Sequence, residues 1–209
     1  MRTNKLPTGI DVLDRKLDGG IPPGRAVALS ASPASQSELF LYELASMRDT
    51  VYLTTERSKA VVQDVLDRSG TGPGDVAVYE IDDDDPIGQA SNAVSGMPTG
   101  CTLIVDPIEL LERQPAARYR AFLNDLKLRV VETDSIAFLH CLEGRAVPDG
   151  RDRTEYMADI IFDLDTTVRG DSVENRLTVP KFRGGQALED AIKLNLTADV
   201  TIDVSRTIV

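Results

Sequence analysis

The chain has 209 residues, of which 42% are hydrophobic and 27% are charged. This composition is ordinary for a folded globular protein and too apolar for a disordered one. The net charge of -11 disfavours a nucleic-acid groove, because binding to phosphates needs a basic surface. Acidic residues spread along the whole chain favour a halophilic protein from a salt-rich cytoplasm, with an ordinary acidic cytosolic protein as the alternative.

Between residues 25 and 150, short apolar runs alternate with helical patterns. The apolar runs predict five buried strands, over residues 26–30, 51–55, 76–81, 102–105 and 136–140. Helical periodicity lies between them, over residues 37–47, 60–69, 87–94 and 116–132. The alternation predicts an α/β doubly wound core with a mostly parallel sheet and helices on both faces.

After residue 150 the pattern changes to strands. Residues 160–168 and 176–182 are predicted to form two strands joined through Gly170 and Asp171, and further strands are predicted over 192–196 and 200–204. We therefore predict a single domain over residues 1–209. It has a lead-in of residues 1–24, an α/β core of residues 25–150 and antiparallel strands over residues 151–209.

Three local features bear on metals and on location. The acidic run at residues 82–85, before Pro86, predicts a solvated loop ahead of a helix, with a metal site as the alternative. The spacing of Cys101 and Cys141 predicts buried thiols rather than a zinc site or a disulfide. From the acidic run and the cysteine spacing we expect no metal. The sequence lacks a membrane-length apolar run and a signal-peptide pattern, so we expect a cytoplasmic protein.

The first 25 residues carry the most specific pattern in the chain. From Thr8 to Arg25 they follow the pattern TGIxxLDxxLxGGIPxGR, and a predicted strand comes next. This pattern resembles KaiC-like proteins of the RecA superfamily, within the P-loop NTPases, including archaeal signalling paralogues. The resemblance covers the whole chain and implies a RecA-like fold with a C-terminal antiparallel extension.

The resemblance also places a phosphate-binding loop, G-x-x-x-x-G-K-[ST], directly after the first strand. The corresponding residues here are Ala31, Ser32, Pro33, Ala34, Ser35, Gln36, Ser37 and Glu38. Ala31 and Gln36 stand where the family has glycines. Ser37 replaces the lysine, and Glu38 replaces the hydroxyl residue that holds Mg²⁺. The loop is therefore predicted to be degenerate, and we expect neither ATP nor Mg²⁺ as a cofactor.

Three interpretations of this loop stay open. Ser35 and Glu38 fit a capping box, in which each side chain bonds a free N–H at the helix start. Alternatively, the loop keeps nucleotide through its main-chain amides, with Mg²⁺ recruited by Glu38. A third alternative is a different small anion.

Two acidic positions match the family's catalytic and metal-binding positions. The family has a pair of acidic residues after the second strand, where this chain has Glu56 followed by Arg57. We expect these two to form a salt bridge, with a catalytic role for Glu56 as the alternative. Asp106 ends a run that resembles Walker B, where an Asp holds the water shell of Mg²⁺. Because Pro107 follows it, Asp106 is also predicted to cap a helix over residues 108–112.

Two more segments resemble functional positions of the family. His140 stands where RecA-like folds have a γ-phosphate sensor, and the alternative is a half-buried histidine bonded near Asp106. Lys181 and Arg183 resemble a K-x-R-G segment that reaches a neighbouring subunit's nucleotide in ring-forming relatives. The alternative for these two is a basic strand end before a glycine turn.

These features favour a non-hydrolysing regulatory or scaffold protein in signal transduction that acts through protein partners or a homo-oligomer. Two other functions compete with it. The first is an ATPase subunit that is active only in an oligomer, using Glu56, Asp106 and residues borrowed from a neighbour. The second is a DNA recombinase paralogue, which the acidic balance disfavours. We expect no membrane partner.

Overall fold

The computed structural model describes residues 5–68, 72–197 and 200–202. Its helices are α1 (Asp11–Lys16), α2 (Ser37–Ser46), α3 (Lys59–Arg68), α4 (Pro86–Ser95), α5 (Glu109–Glu112), α6 (Ala116–Glu132) and α7 (Arg151–Met157). Its strands are β1 (Arg25–Ala31), β2 (Thr50–Thr54), β3 (Val76–Glu80), β4 (Thr102–Asp106), β5 (Ile136–Leu142), β6 (Ile160–Arg169), β7 (Ser172–Phe182), β8 (Ile192–Leu196) and β9 (Val200–Ile202). None of the helices described is long and apolar enough to span a membrane.

The strands form one sheet in the order β3-β2-β4-β5-β1-β6-β7-β8-β9. The first five strands run parallel, as predicted, and β7, β8 and β9 extend the sheet in antiparallel fashion. The prediction was wrong for β6, which pairs in parallel with β1. The antiparallel extension therefore begins at β7, and the part of the predicted last strand beyond residue 202 lies outside the described residues.

Two apolar layers cover the sheet. One face packs against α1, α2 and α3, and there Phe40, Phe138 and Phe162 contact one another with ring centroids 5.9–6.4 Å apart. The other face packs against α4, α5 and α6. The strands in the centre are buried on both sides, which explains their near-continuous apolar sequences. In β3, at the sheet edge, Val78 is the buried residue and the others are more exposed than predicted.

The lead-in is held by side-chain bonds to Asp14. Its carboxylate accepts hydrogen bonds from the Thr8 main-chain N–H and hydroxyl, both at 2.8 Å, and from the Gly9 N–H. Gly20 has a φ of +117°, and a Cβ there would lie 2.3 Å from the Leu6 carbonyl oxygen. These contacts explain the fixed Thr, Asp and Gly positions of the lead-in, which fold the chain back before β1.

The structure confirms two local predictions, one for the acidic run and one for the two cysteines. Asp85 caps α4, because its side chain accepts a bond from the Gly88 N–H and Pro86 occupies the first turn. The acidic run is therefore a loop ahead of a helix, as predicted. Cys101 and Cys141 are free and buried, also as predicted, and burial raises the pKa of both thiols.

Candidate functional site

Four residues singled out in the sequence meet at the carboxyl edge of the parallel strands. Ser37 begins α2, Arg57 follows β2, Asp106 ends β4 and His140 lies near the end of β5. Parallel strands bring their carboxyl ends to one edge of a sheet, which is where α/β folds form their sites. We call these four residues, together with Tyr42 and Tyr52, the carboxyl-edge network.

A hydrogen-bonded chain links three of these side chains. The Ser37 hydroxyl lies 2.9 Å from His140 Nε2, and His140 Nδ1 lies 2.6 Å from Asp106 Oδ1. Because the Asp106 carboxylate is ionised and can only accept, Nδ1 donates to it, and Nε2 shares a hydrogen bond with the Ser37 hydroxyl. The order matches the nucleophile, base and orienting acid of hydrolases. Ser37 is only 2% exposed, however, so its hydroxyl does not face solvent as the nucleophile of a hydrolase does.

The second oxygen of Asp106 binds the other half of the network. Asp106 Oδ2 accepts hydrogen bonds from the Tyr52 hydroxyl and from Arg57 Nη2, the latter at 2.5 Å. Arg57 also donates to the Tyr42 hydroxyl, and its guanidinium lies 5.7 Å from the centre of the Tyr42 ring. The carboxylate of Asp106, at 4% exposure, therefore accepts three hydrogen bonds from donors of the chain itself.

The electrostatics of the network follow from this geometry. Burial raises the pKa of Asp106, but the bonds from His140, Tyr52 and Arg57 outweigh burial and bring it to about 2. Burial and the Asp106 charge raise the pKa of Tyr52 well above its usual value, so its phenol stays a neutral donor. Asp106 and the two tyrosines raise the pKa of Arg57 despite its partial burial. The result is a fixed, internally neutralised ion pair.

Two predictions about these residues were wrong, and a third was right in part. Arg57 pairs with Asp106 rather than with Glu56, which is exposed. Asp106 does not cap a helix, because α5 has Ile108 at its N-cap position without a side-chain bond. His140 does bond to Asp106, but it is 3% exposed rather than half-buried.

The loop between β1 and α2 is closed by its own hydrogen bonds. Ser32 accepts from the Ala34 N–H through its hydroxyl and from the Ser35 N–H through its carbonyl. The Ser35 hydroxyl donates to the Ser32 carbonyl at 2.6 Å and accepts from the Ser37 N–H. Positive φ among the described residues occurs outside residues 31–38. The main-chain amides at 34, 35 and 37 are therefore already bonded within the turn.

The predicted capping box is absent from this loop. The N-cap of α2 is Gln36, whose side chain makes no cap bond, and Ser35 bonds the Ser37 N–H instead of the Glu38 N–H. Glu38 lies in the first turn of the helix and is partly exposed. A carboxylate at this position repels an anion that approaches the helix N-terminus.

Lys181 and Arg183 lie at the opposite edge of the sheet. The end of β7 pairs with the start of β6, and β6 begins beside the start of β1, so both cations lie at the amino edge. Lys181 Nζ donates to the carbonyls of Glu155 and Tyr156, and Arg183 Nη2 donates to that of Tyr156 at 2.6 Å. Both cations thus bind the C-terminal end of α7, where the helix dipole favours positive charge.

A third cation completes this amino-edge cluster. Lys127 Nζ donates to the Met157 carbonyl and to Asp159 Oδ1, both at 2.8 Å. Arg183 lies 3.7 Å from the same carboxylate oxygen. Burial, together with the nearby Arg183, lowers the pKa of Lys181. We call Lys127, Asp159, Lys181 and Arg183 the amino-edge cluster; within one chain it is separated from the carboxyl-edge network by the length of the strands.

A buried polar group in α5 and α7 was not predicted from the sequence. Arg151 is 4% exposed and bonds Glu109, Glu112 and Glu143. The Thr154 hydroxyl contacts Glu112, and burial raises the pKa of Glu109. Within the described ranges, no group of three or more His, Cys, Asp or Glu side chains is arranged to hold a metal ion.

Tyr42 and Tyr52 are the members of the carboxyl-edge network that the sequence analysis missed. A signal for Tyr52 exists in the sequence, since its phenol stands in the middle of a buried strand. A buried tyrosine hydroxyl needs a hydrogen-bond partner, which points to a polar group on a neighbouring strand. Tyr42 gives no such signal, because it lies on a helix with apolar neighbours.

Comparisons with known proteins place the chain among RecA-like folds. The crystal structure of a KaiC-like protein from the hyperthermophilic archaeon Pyrococcus horikoshii OT3 superposes with a TM-score of 0.74 over 96% of this chain and 99% of that chain, at 14% identity. That likeness concerns the fold.

A sequence relationship covers a shorter region. The "DNA repair protein RadA" of Mycobacterium tuberculosis, in two strains, is 37% identical over 83 residues, which is 37% of this chain and 17% of the RadA protein. This chain thus spans less than a fifth of the length of these curated relatives. A family model described as "Family of unknown function (DUF7125)" matches residues 5–209. The chain therefore belongs to the DUF7125 family, with a KaiC-like, RecA-type fold.

Proposed function

We propose that this protein is a non-hydrolysing regulatory or scaffold member of the RecA-like proteins, whose loop after β1 is a degenerate Walker A and which acts through protein contacts. The observation that carries the proposal is the carboxyl-edge network. The groups that the resemblance assigns to Mg²⁺ and phosphate are bonded to one another instead.

Asp106 supports the proposal most directly. In the resemblance it would hold the water shell of Mg²⁺, which requires open lone pairs and a net negative site. Here its two oxygens accept three bonds, and Arg57 supplies the positive charge. A divalent cation would have to displace a charged partner already in contact at 2.5 Å. The donor set does not fit Mg²⁺.

The loop between β1 and α2 supports the proposed function for an independent reason. A phosphate cradle uses free main-chain N–H groups and a lysine, whereas this turn already bonds its amides at residues 34, 35 and 37 and has Ser37 in place of the lysine. The Ser37 hydroxyl is itself bonded to His140. Glu38 adds negative charge at the start of α2. These residues do not fit the triphosphate.

The test is binding of ATP and Mg²⁺ by titration calorimetry in molar salt. We expect the dissociation constant to be weaker than about 1 mM, because the loop has Ser37 in place of the lysine and already bonds three of its main-chain amides. A micromolar affinity that depends on Mg²⁺ would contradict the proposal.

A matched pair of variants tests whether Arg57 is the internal cation. In Arg57→Ala, Asp106 loses its positive partner, so Mg²⁺ alone should raise the melting temperature of this variant more than that of the wild type. Glu56→Ala, one residue away and exposed, should behave like the wild type. An equal response of both variants to Mg²⁺ would contradict the role assigned to Arg57.

A further inference from the structure

A cavity of about 570 Å³ lies between the turn before α2 and the antiparallel half of the sheet. The turn contributes Ala34, Ser35 and Gln36. The strands contribute Thr166 from β6, Val173 and Asn175 from β7, and Asn195 and Leu196 from β8, with Thr197 after it. Cavities of this volume are the size that small molecules occupy.

Charge distinguishes this cavity from the rest of the molecule. The chain has 27% charged residues and a net charge of -11, but each described residue that lines the cavity is uncharged. A charged ligand would lose water there without gaining a counter-charge from these walls. The cavity therefore favours a neutral ligand.

The floor of the cavity is polar and held in place. Asn175 is 7% exposed, accepts the Thr166 hydroxyl at 2.8 Å and donates to the Leu194 carbonyl. A primary amide has two donors and two acceptor lone pairs, so Asn175 keeps hydrogen-bonding capacity after these contacts. Its orientation is fixed before any ligand arrives, which lowers the entropy cost of binding.

The rim adds adaptable polar groups and an apolar surface. The side-chain amides of Gln36 and Asn195 are exposed and have no hydrogen-bond partner within the described part of the chain. Val173 is 59% exposed and stands opposite Val168, which is 72% exposed. Amides beside an apolar pair suit a ring with one apolar face and hydrogen-bonding edges.

We propose that this cavity binds a small neutral ring compound that bears amide or hydroxyl groups. This site adjoins the carboxyl-edge network at Ser35 but shares no residue with it, and it requires neither a phosphate group nor a metal.

The probes are two matched pairs of compounds. Nicotinamide and nicotinate share a ring and differ in an amide against a carboxylate, and N-acetylglucosamine and glucuronate are neutral and anionic sugars. Binding is followed in ¹H–¹⁵N spectra of the whole protein. We expect at least one neutral compound to shift the signals of Gln36, Thr166 and Asn175, and to bind about tenfold or more tightly than its anionic counterpart.

A variant with a blocked rim separates this site from general surface binding. Val173→Arg places a long side chain at the mouth of the cavity, at a 59% exposed position, and should abolish the shifts. Val61→Arg, at a 52% exposed position on α3, is the matched control and should leave them unchanged. The proposal is overturned if neither neutral compound shifts these signals, if the anion binds as tightly, or if Val173→Arg binds like the wild type.

Discussion

The two edges of the parallel sheet use charge in different ways. At the carboxyl edge, Asp106, His140 and Ser37 are almost fully buried and bond to one another, with Arg57 as the counter-charge. At the amino edge, Lys181 and Arg183 are more exposed and bind main-chain carbonyls at the end of a helix. In the first arrangement the polar side chains of the site bond to one another. In the second, the two cations bind the C-terminal end of α7 and remain partly in solvent.

This difference predicts at which residues a substitution should lower the free energy of unfolding. A buried ion pair gives little net stability, but removal of one partner leaves the other charge without compensation. An exposed cation that bonds a carbonyl can be replaced by water at small cost. The carboxyl edge should therefore be sensitive to single substitutions, whereas Lys181 and Arg183 at the amino edge should tolerate them.

Asp106→Ala is expected to have the largest effect. It leaves Arg57 without its carboxylate and His140 without its acceptor, so the free energy of unfolding should fall by about 3–5 kcal/mol. Denaturant unfolding measures this change, with Glu56→Ala as an exposed control that should stay within about 0.5 kcal/mol of the wild type. A loss below about 1 kcal/mol for Asp106→Ala would contradict the buried network.

Protonation of Asp106 should lower the free energy of unfolding as the pH falls from 4 towards 2. The pKa of Asp106 is about 2 in the folded protein against 3.8 for an ordinary aspartate, so the folded state favours its ionised form. That preference contributes about 2 kcal/mol above pH 4, and the contribution is lost as the pH falls towards 2.

The measurement is the unfolding free energy between pH 5 and pH 2 for the wild type and for Asp106→Asn, at constant salt. Other carboxylates contribute equally to both proteins, so the difference between the two curves isolates Asp106. Parallel curves would show that Asp106 has an ordinary pKa in the folded protein.

Lys181→Ala should lower the free energy of unfolding by less than either Asp106→Ala or the protonation of Asp106. It removes two bonds to the carbonyls of Glu155 and Tyr156, which should cost about 1 kcal/mol. Combined with Ser37→Ala at the other edge, the two losses should add within about 0.5 kcal/mol. A coupling energy above about 1 kcal/mol in this double-mutant cycle would mean that the two edges are not independent.

Much of the fold could be predicted because its core strands are continuous apolar runs. Residues 51–55 and 136–140 differ from β2 and β5 only at their ends. Helix α7 was missed because its buried residues are Arg151 and Thr154, so it lacks an apolar stripe. The parallel pairing of β6 was missed because strand direction depends on which strand lies beside it, and periodicity does not carry that information.

The candidate site was predictable in part for the same reason. Asp106 and His140 could be placed near each other, since each ends an apolar run that predicts a strand. The partner of Arg57 could not be predicted, because it depends on β2 lying beside β4 with Thr54 opposite Asp106. In sequence, Glu56 is the nearer carboxylate, but in the folded chain strand order decides the contact.

The position of β1 in the middle of the sheet has a consequence for how the chain folds during synthesis. Its neighbours are β5 and β6, which pair with it from residues 136 and 160 onward. The apolar β1 therefore emerges from the ribosome more than 100 residues before either partner strand exists. Since such distant pairings close long loops at an entropic cost, folding should be slow, and the nascent chain should expose β1 to chaperones until the last third is made.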